Sequence, residues 1–347
     1  MRQLVESARS GSIRAASRLI SLLENDPAQL PELFAGMAAW PQPRVVIGFT
    51  GAPGVGKSTL VDALLASIRL KYPERMLGVI AVDPSSPFTG GAVLGDRIRM
   101  MDHATDDKIF IRSLASRGHL GGLTLGIKGA IRVMGLVGCD MVLIETVGVG
   151  QSEIEVAGVA DMTVIAMAPG HGDGIQLLKA GLMEAGDIFV INKSDRPGAD
   201  KLLAELTATL SLSGAMEHPV APVASEEIGH QEDPGVIPET PQGKARVQDA
   251  AVFKVCAAAR TGIDELVAGI EARAQRFAGP IMRRRQQAVH EEIRYAIMET
   301  ARRRLTAALD QDDGGEKRIQ SVLAGTSSVG KLAEELMKQA LDQNRAR

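Results

Sequence analysis

Eight consecutive residues, Gly51-Ala52-Pro53-Gly54-Val55-Gly56-Lys57-Ser58, have the types and spacing that hold a string of phosphates. They follow the apolar run 45–49 and precede a stretch of helical pattern. The loop therefore joins a buried strand to a helix expected to begin near Lys57. In such a loop successive backbone N–H groups point inward beside a helix N-terminus, where partial positive charge favours an anion. Glycines are needed because side chains would collide with the phosphates or with positive φ angles. Lys57 is expected to reach the β- and γ-phosphates and the Ser58 hydroxyl to sit on Mg²⁺, with Thr59 carrying the motif into the helix. The implied ligand is a nucleoside triphosphate.

A second motif names the base. Asn192-Lys193-Ser194-Asp195 follows the apolar run 188–191, which puts it at the C-terminal end of a strand. An aspartate there can accept hydrogen bonds from N1–H and the 2-amino group of guanine. Adenine offers neither donor, so the carboxylate would lie desolvated and unpaired. GTP, with GDP as its product, is the expected ligand.

Two carboxylates close further strands, and a third lies downstream of one of them. Glu145 ends the run 141–144 and opens Glu145-Thr146-Val147-Gly148-Val149-Gly150-Gln151-Ser152. An acid beside the phosphate-loop strand can hold Mg²⁺ or its waters, and Gly148 lets a backbone N–H approach a γ-phosphate. Asp83 closes the run 77–82, and Asp96 lies downstream in 90–97. Taken singly each acid also suits a cap or turn. Together at strand ends they fit a hard cation that keeps several waters.

Seven short β-rich runs, 45–49, 77–82, 109–111, 141–144, 163–168, 188–191 and 252–255, alternate with helical stretches. Runs that are apolar throughout suit a mostly parallel sheet covered on both faces, with ligands at its C-terminal edge. The expected fold is an α/β nucleotide-binding core over 44–278, flanked by a helical N-terminal extension, 1–43, and a helical C-terminal region, 279–347. The stretch 216–250 reads as a surface insertion rich in Pro, Glu and Gly. Beyond 280 an apolar stripe through Val289, Ile293, Ile297, Ala301 and Leu305 needs a surface to pack on, either its own domain or a second subunit. The basic runs 283–285 and 302–304 fit solvated helix faces.

Composition narrows the function class. With 39 Lys and Arg against 42 Asp and Glu among 347 residues, the net charge is −3, so no strong field draws the chain to nucleic acid or membrane. One Trp, two Tyr and seven Phe leave little for base stacking. No apolar stretch approaches the roughly 20 residues of a membrane span, and Met1-Arg2-Gln3-Leu4 lacks the apolar core of a signal peptide. The two cysteines, Cys139 and Cys256, read as small buried thiols, and the six histidines are scattered. A cytoplasmic protein is the expectation.

The segments 50–59, 83–100, 112–123, 145–152, 169–179 and 192–195 together resemble the MeaB/ArgK/MMAA GTPases. These are P-loop NTPase-fold chaperones of adenosylcobalamin-dependent acyl-CoA mutases. The strings Asp83-Pro84-Ser85-Ser86, Leu94-Gly95-Asp96 and Glu145–Ser152 are long and distinctive. The resemblance covers 44–275, and more loosely both helical ends, which in the family pack on the core and build a homodimer. It implies that Ser58, Asp83, Asp96 and Glu145 surround Mg²⁺, that Lys57 binds the phosphates and that Gly148 senses the γ-phosphate. The segment 169–179 would be an additional switch toward the mutase, with Asp173 and Lys179 at its functional positions. Cys256-Ala257-Ala258 falls where the family closes over the guanine.

Two departures are visible. The additional switch usually carries Asp-Glu, and here the pair is Asp173-Gly174. A Trp-Pro-Pro stretch before the last core strand is replaced by residues 246–251. The reading is a slow, homodimeric GTPase that gates cofactor loading or protection of a mutase such as methylmalonyl-CoA mutase, with no cobalamin site of its own. A kinase linked to amino-acid transport and a nickel-delivery GTPase are the alternatives. Asn192–Asp195 opposes the first, and the lack of Cys and His clusters opposes the second.

Overall fold

Seven apolar runs become the strands of one sheet in the computed structural model. They are β1 (Val45–Thr50), β2 (Leu77–Pro84), β3 (Ile109–Ser116), β4 (Met141–Thr146), β5 (Met162–Met167), β6 (Ile188–Ile191) and β7 (Ala251–Lys254). The structure describes residues 2–25, 40–84, 103, 105–116, 122–146, 156–170, 186–215, 250–286, 289, 294, 298, 301 and 320–334.

The strand order is β3-β2-β4-β1-β5-β6-β7, and every neighbouring pair is parallel. The chain leaves β1 in one direction through β2 and β3, then returns to insert β4 between β2 and β1. From there it continues on the other side with β5. Connections after β1, β4 and β5 thus converge where the winding reverses, at the C-terminal edge of the sheet, which is where such sheets bind ligands. β1, β4, β5 and β6 are buried along their whole length, which explains why their sequences do not alternate. β7 is only half-buried and ends in the exposed Lys254, as suits an edge.

Helices cover both faces. α3 (Lys57–Lys71) and α6 (Ile263–Arg276) pack over Ile47, Phe49, Leu143 and Val164. On the opposite face α1 (Arg2–Arg9), α2 (Ile13–Asn25) and α4 (Gly122–Val137) bury Val46, Ile80, Val82 and Ile144. α5 (Ala199–Ala215) lies over Ile165, Phe189 and Ile191. The N-terminal helices share the core: Leu19, Ile20 and Leu23 are buried in it, and Arg112 of β3 donates to Ser21 Oγ and to Glu24, each at 2.8 Å. The chain divides into two compact units, Met1–Ala278 and Gly279–Arg347. No helix among the described residues is long and apolar enough to cross a membrane.

Register at the lower edge of the sheet is set by aspartates that each precede a strand. The Asp161 N–H donates to Val46 O at 2.9 Å while its Oδ2 accepts from Val46 N–H at 2.8 Å. Asp187 repeats the device against Thr163, at 2.9 and 2.8 Å. Asp140 instead pairs with Arg44 at 3.3 Å. Arg44 and Arg75 both reach the buried carboxylate of Glu271, at 3.0 and 2.7 Å, and so tie α6 to the starts of β1 and β2. Asp161→Ala is expected to cost about 1–3 kcal/mol in denaturant unfolding, because a buried backbone donor loses its acceptor. An unchanged midpoint would contradict this role.

Candidate functional site

The phosphate loop begins where β1 runs out. Gly51 has φ 141°, and a Cβ there would lie 2.1 Å from the carbonyl oxygen of Ala166 on β5. Only glycine fits so close to a backbone atom. Gly56, at φ 92°, caps α3 and turns the chain into the helix. Lys57 and Ser58 fill its first turn, and both are buried. The Lys57 ammonium donates to the carbonyl of Gly51 and, at 3.4 Å, to that of Ala52, which holds it across the mouth of the loop. Pro53, Gly54 and Thr59 are exposed, while Ala52 and Val55 are buried.

Glu145 comes to this loop through the sheet. It lies next to last in β4, in register with Phe49 of β1 and Ala81 of β2. Its carboxylate is 1 % exposed and accepts from the Ser58 hydroxyl. A hydroxyl and a carboxylate side by side form a set of hard oxygen donors, which fits Mg²⁺ shared with phosphates and water. Among the described residues no group of three or more His, Cys, Asp or Glu gathers. Asp83 stands near the end of β2, in register with Ala115. Asp96, Gly148, Asp173 and Lys179 lie outside the described residues.

The base-reading motif is wired to the same loop. Asn192, 2 % exposed, donates to Val55 O at 2.9 Å and accepts from Ala257 N–H at 3.0 Å. One amide thus joins the phosphate loop to the turn Cys256-Ala257-Ala258. Lys193 adopts φ 55°, and its ammonium donates to Gly54 O at 2.6 Å. Asp195 is exposed beside them. The Cys256 thiol and its own backbone N–H hold its carboxyl below the usual carboxylate range, so it is an acceptor at neutral pH. Cys256 and Ala257 are buried and Ala258 is exposed. Cys139 lies in the core, where burial pushes its thiol up to about 12.

Structure thus brings together residues 51–59, Glu145, Asn192, Lys193, Asp195 and 256–258. Sequence reasoning missed the bracing role of Asn192, the reach of Lys193 to Gly54 and the contact between Ser58 and Glu145. The Asp-apolar pairs Asp161-Met162 and Asp187-Ile188 were a visible signal for the register device.

Comparison with known proteins follows this geometry. The family model described as methylmalonyl Co-A mutase-associated GTPase MeaB matches residues 16–310. A Pyrococcus abyssi protein, named only provisionally as a GTPase, is 49% identical over 210 residues, 60% of this chain and 64% of that one. GTPase ArgK of Escherichia coli is 47% identical over 149 residues, 43% of this chain and 44% of that protein. A Caenorhabditis elegans protein named methylmalonic aciduria type A homolog, mitochondrial, is 42% identical over 161 residues, 46% of this chain and 40% of its own. The chain spans less than two thirds of the length of each of these relatives. A crystal structure described as LAO/AO transport system kinase shares the fold, with a TM-score of 0.58 over 97% of this chain and 96% of the other at 24% identity.

Proposed function

Because the chain belongs to the family of methylmalonyl-CoA mutase-associated GTPases, MeaB, we propose that it hydrolyses GTP to gate cofactor loading or protection of an adenosylcobalamin-dependent acyl-CoA mutase. The observation that carries the nucleotide assignment is the Asn192 side chain, which joins the phosphate loop to the base turn. Backbone N–H groups at the start of α3 and the Lys57 ammonium hold the phosphates and stabilise charge that develops on the transferring group. Asp195 accepts from guanine, with Lys193 and 256–258 around the base. Ser58 and Glu145, with Asp83 and Asp96, hold Mg²⁺, which supplies neutralisation of phosphate charge when bound.

The segment that contains Asp173 and Lys179 couples this site to the mutase, and Gly148 senses the γ-phosphate. Hydrolysis then alternates two conformations, and the difference in mutase affinity between them sets the coupling. Intrinsic turnover is slow and rises with the partner, as for other switches. The region 279–347 makes the homodimer, and the cobalamin belongs to the mutase.

Affinity capture from native cells, with the protein loaded with a non-hydrolysable GTP analogue, tests the partner. Enrichment of a cobalamin-dependent acyl-CoA mutase is expected. Its absence, with label from γ-phosphate appearing on a small-molecule acceptor, would overturn the reading in favour of a kinase. Glu145→Ala is expected to lower turnover about tenfold or more and to weaken the magnesium dependence of nucleotide affinity. A variant that hydrolyses GTP at the parent rate would remove Glu145 from the metal site.

A further inference from the structure

Two threonines of the sheet, Thr50 and Thr163, are fully enclosed, and the hydroxyl of each has no hydrogen-bond partner among the described residues. Both stand on one face of the sheet. Gly48 of β1 pairs in register with Thr163 of β5, and Thr50 lies two residues further along β1, opposite Ile165. The turn 156–160, closed by the Ala160 N–H donating to Val156 O at 3.0 Å, covers that face. A Cβ on Gly48 would come within 2.8 Å of Val156 Cγ1 and 3.1 Å of Ala160 Cβ, so turn and strand are in close contact there. Thr163 sits near the start of β5, away from the ligand edge. Thr50 ends β1, directly before Gly51 of the phosphate loop. The register of Phe49 with Glu145 carries it beside Thr146, the last residue of β4. The Thr146 hydroxyl is itself engaged, donating to Phe49 O at 3.4 Å.

A buried hydroxyl with nothing to bond has lost its water and gained no partner, which weakens the fold. A methyl of the same shape carries no such penalty. At Thr50 the unpaired group stands one residue from the phosphate loop, beside the strand that delivers Glu145 to Ser58. We infer that Thr50 is a positioning residue for the triphosphate state: its hydroxyl gains its hydrogen bond when GTP and magnesium occupy the loop. The bond then favours GTP over GDP. Dependence on the γ-phosphate follows from place. Main-chain N–H groups of the loop meet phosphates that GDP also carries. The end of β4, by contrast, leads on to Gly148, and the inference rests on the reading of Gly148 as the γ-phosphate sensor. A hydroxyl both donates and accepts, so it can meet the main-chain group that the loaded strand end presents beside it.

The test compares Thr50→Val, Thr50→Ser and Thr163→Val with the parent, each as the full chain with magnesium. Denaturant unfolding is followed without nucleotide, GDP and a non-hydrolysable GTP analogue are titrated, and phosphate release from GTP is measured. Thr50→Val is expected to unfold at the parent midpoint or above it, because a methyl replaces an unpaired buried hydroxyl. Its preference for the GTP analogue over GDP is expected to fall about three- to tenfold, with GDP affinity within about twofold of the parent. Phosphate release is expected to fall about tenfold. Thr50→Ser keeps the hydroxyl and stays within about threefold of the parent on both counts. Thr163→Val matches Thr50→Val in stability and keeps parental affinities and turnover. A hydroxyl with a merely structural role predicts another pattern, a lower midpoint with both nucleotides weakened alike. That pattern, an unfolded Thr50→Val, or a Thr50→Val with the parent preference and rate, overturns the proposal. Gly148→Pro, which lacks the N–H, tests the sensor separately. Parental preference and rate in that variant would overturn the sensor reading and this proposal with it, so the two failures are seen in different variants.

Discussion

Lys57→Ala is expected to lower kcat/KM for GTP by about 100- to 1000-fold, the scale on which one preorganised donor to developing charge acts. The ammonium is buried at the first turn of α3 and bridges the carbonyls of Gly51 and Ala52. In a loop of this kind a lysine at that position is expected to reach the phosphates. Because it would then meet charge present in the ground state and charge that grows during transfer, affinity and turnover should fall together. Its partners are buried main-chain carbonyls of Gly51 and Ala52, so some loss of stability is expected alongside the loss of function. Steady-state phosphate release, GDP titration and a thermal melt separate these quantities. Turnover at the parent rate would exclude Lys57 from the chemistry. Lys57→Arg is not expected to restore function, since a planar guanidinium fork does not replace a compact ammonium between two carbonyls.

Asp195→Asn is expected to weaken GTP binding by about 1.5–3 kcal/mol, or roughly ten- to a hundred-fold. An amide retains one acceptor and presents an N–H₂ where guanine also donates. The same variant should accept xanthosine triphosphate, whose C2 carbonyl can receive the new donor. Competition titrations with GTP, xanthosine triphosphate and ATP measure both effects. Equal affinity of the parent for ATP and GTP would sink the assignment of the base. The direction of the Asp195 shift adds a pH expectation. Its carboxyl sits below the usual range because the Cys256 thiol donates to the charged form. The charged acceptor is therefore present throughout neutral and mildly acidic pH, and base discrimination should persist there until protonation begins below the ordinary aspartate range.

Much of this architecture was legible in residue order because its causes are local. A strand buried on both faces must be apolar at consecutive positions, so 45–49 and 188–191 announced β1 and β6 without any knowledge of their neighbours. A loop that wraps phosphate needs glycines where φ is positive, and Gly51, Gly54 and Gly56 all prove to have positive φ. Helix α3 begins at Lys57, the position the motif predicts, because Gly56 can take the left-handed conformation that caps it. The expectation of a mostly parallel sheet became a wholly parallel one among the described strands. The N-terminal helices, legible only as an amphipathic pattern, share a core with β2, β3, β4 and α4 through Leu19, Ile20 and Leu23.

Sequence alone thus determined the strands, the glycine-rich loop and the residue types expected to meet a triphosphate, a cation and a guanine. It did so because backbone geometry, burial period and donor chemistry act within a few residues. Tertiary structure alone decided which of those residues meet. Ser58 and Glu145 touch across 87 positions, and Asn192 reaches Val55 across 137. Both contacts exist because β4 returns to lie beside β1 while β5 and β6 continue on its other side. Strand order depends on the pairing of segments far apart in the chain, which no local period encodes. For the same reason Glu271, an unremarked acid in an amphipathic helix, became the buried partner of Arg44 and Arg75 only once α6 was packed against the starts of β1 and β2.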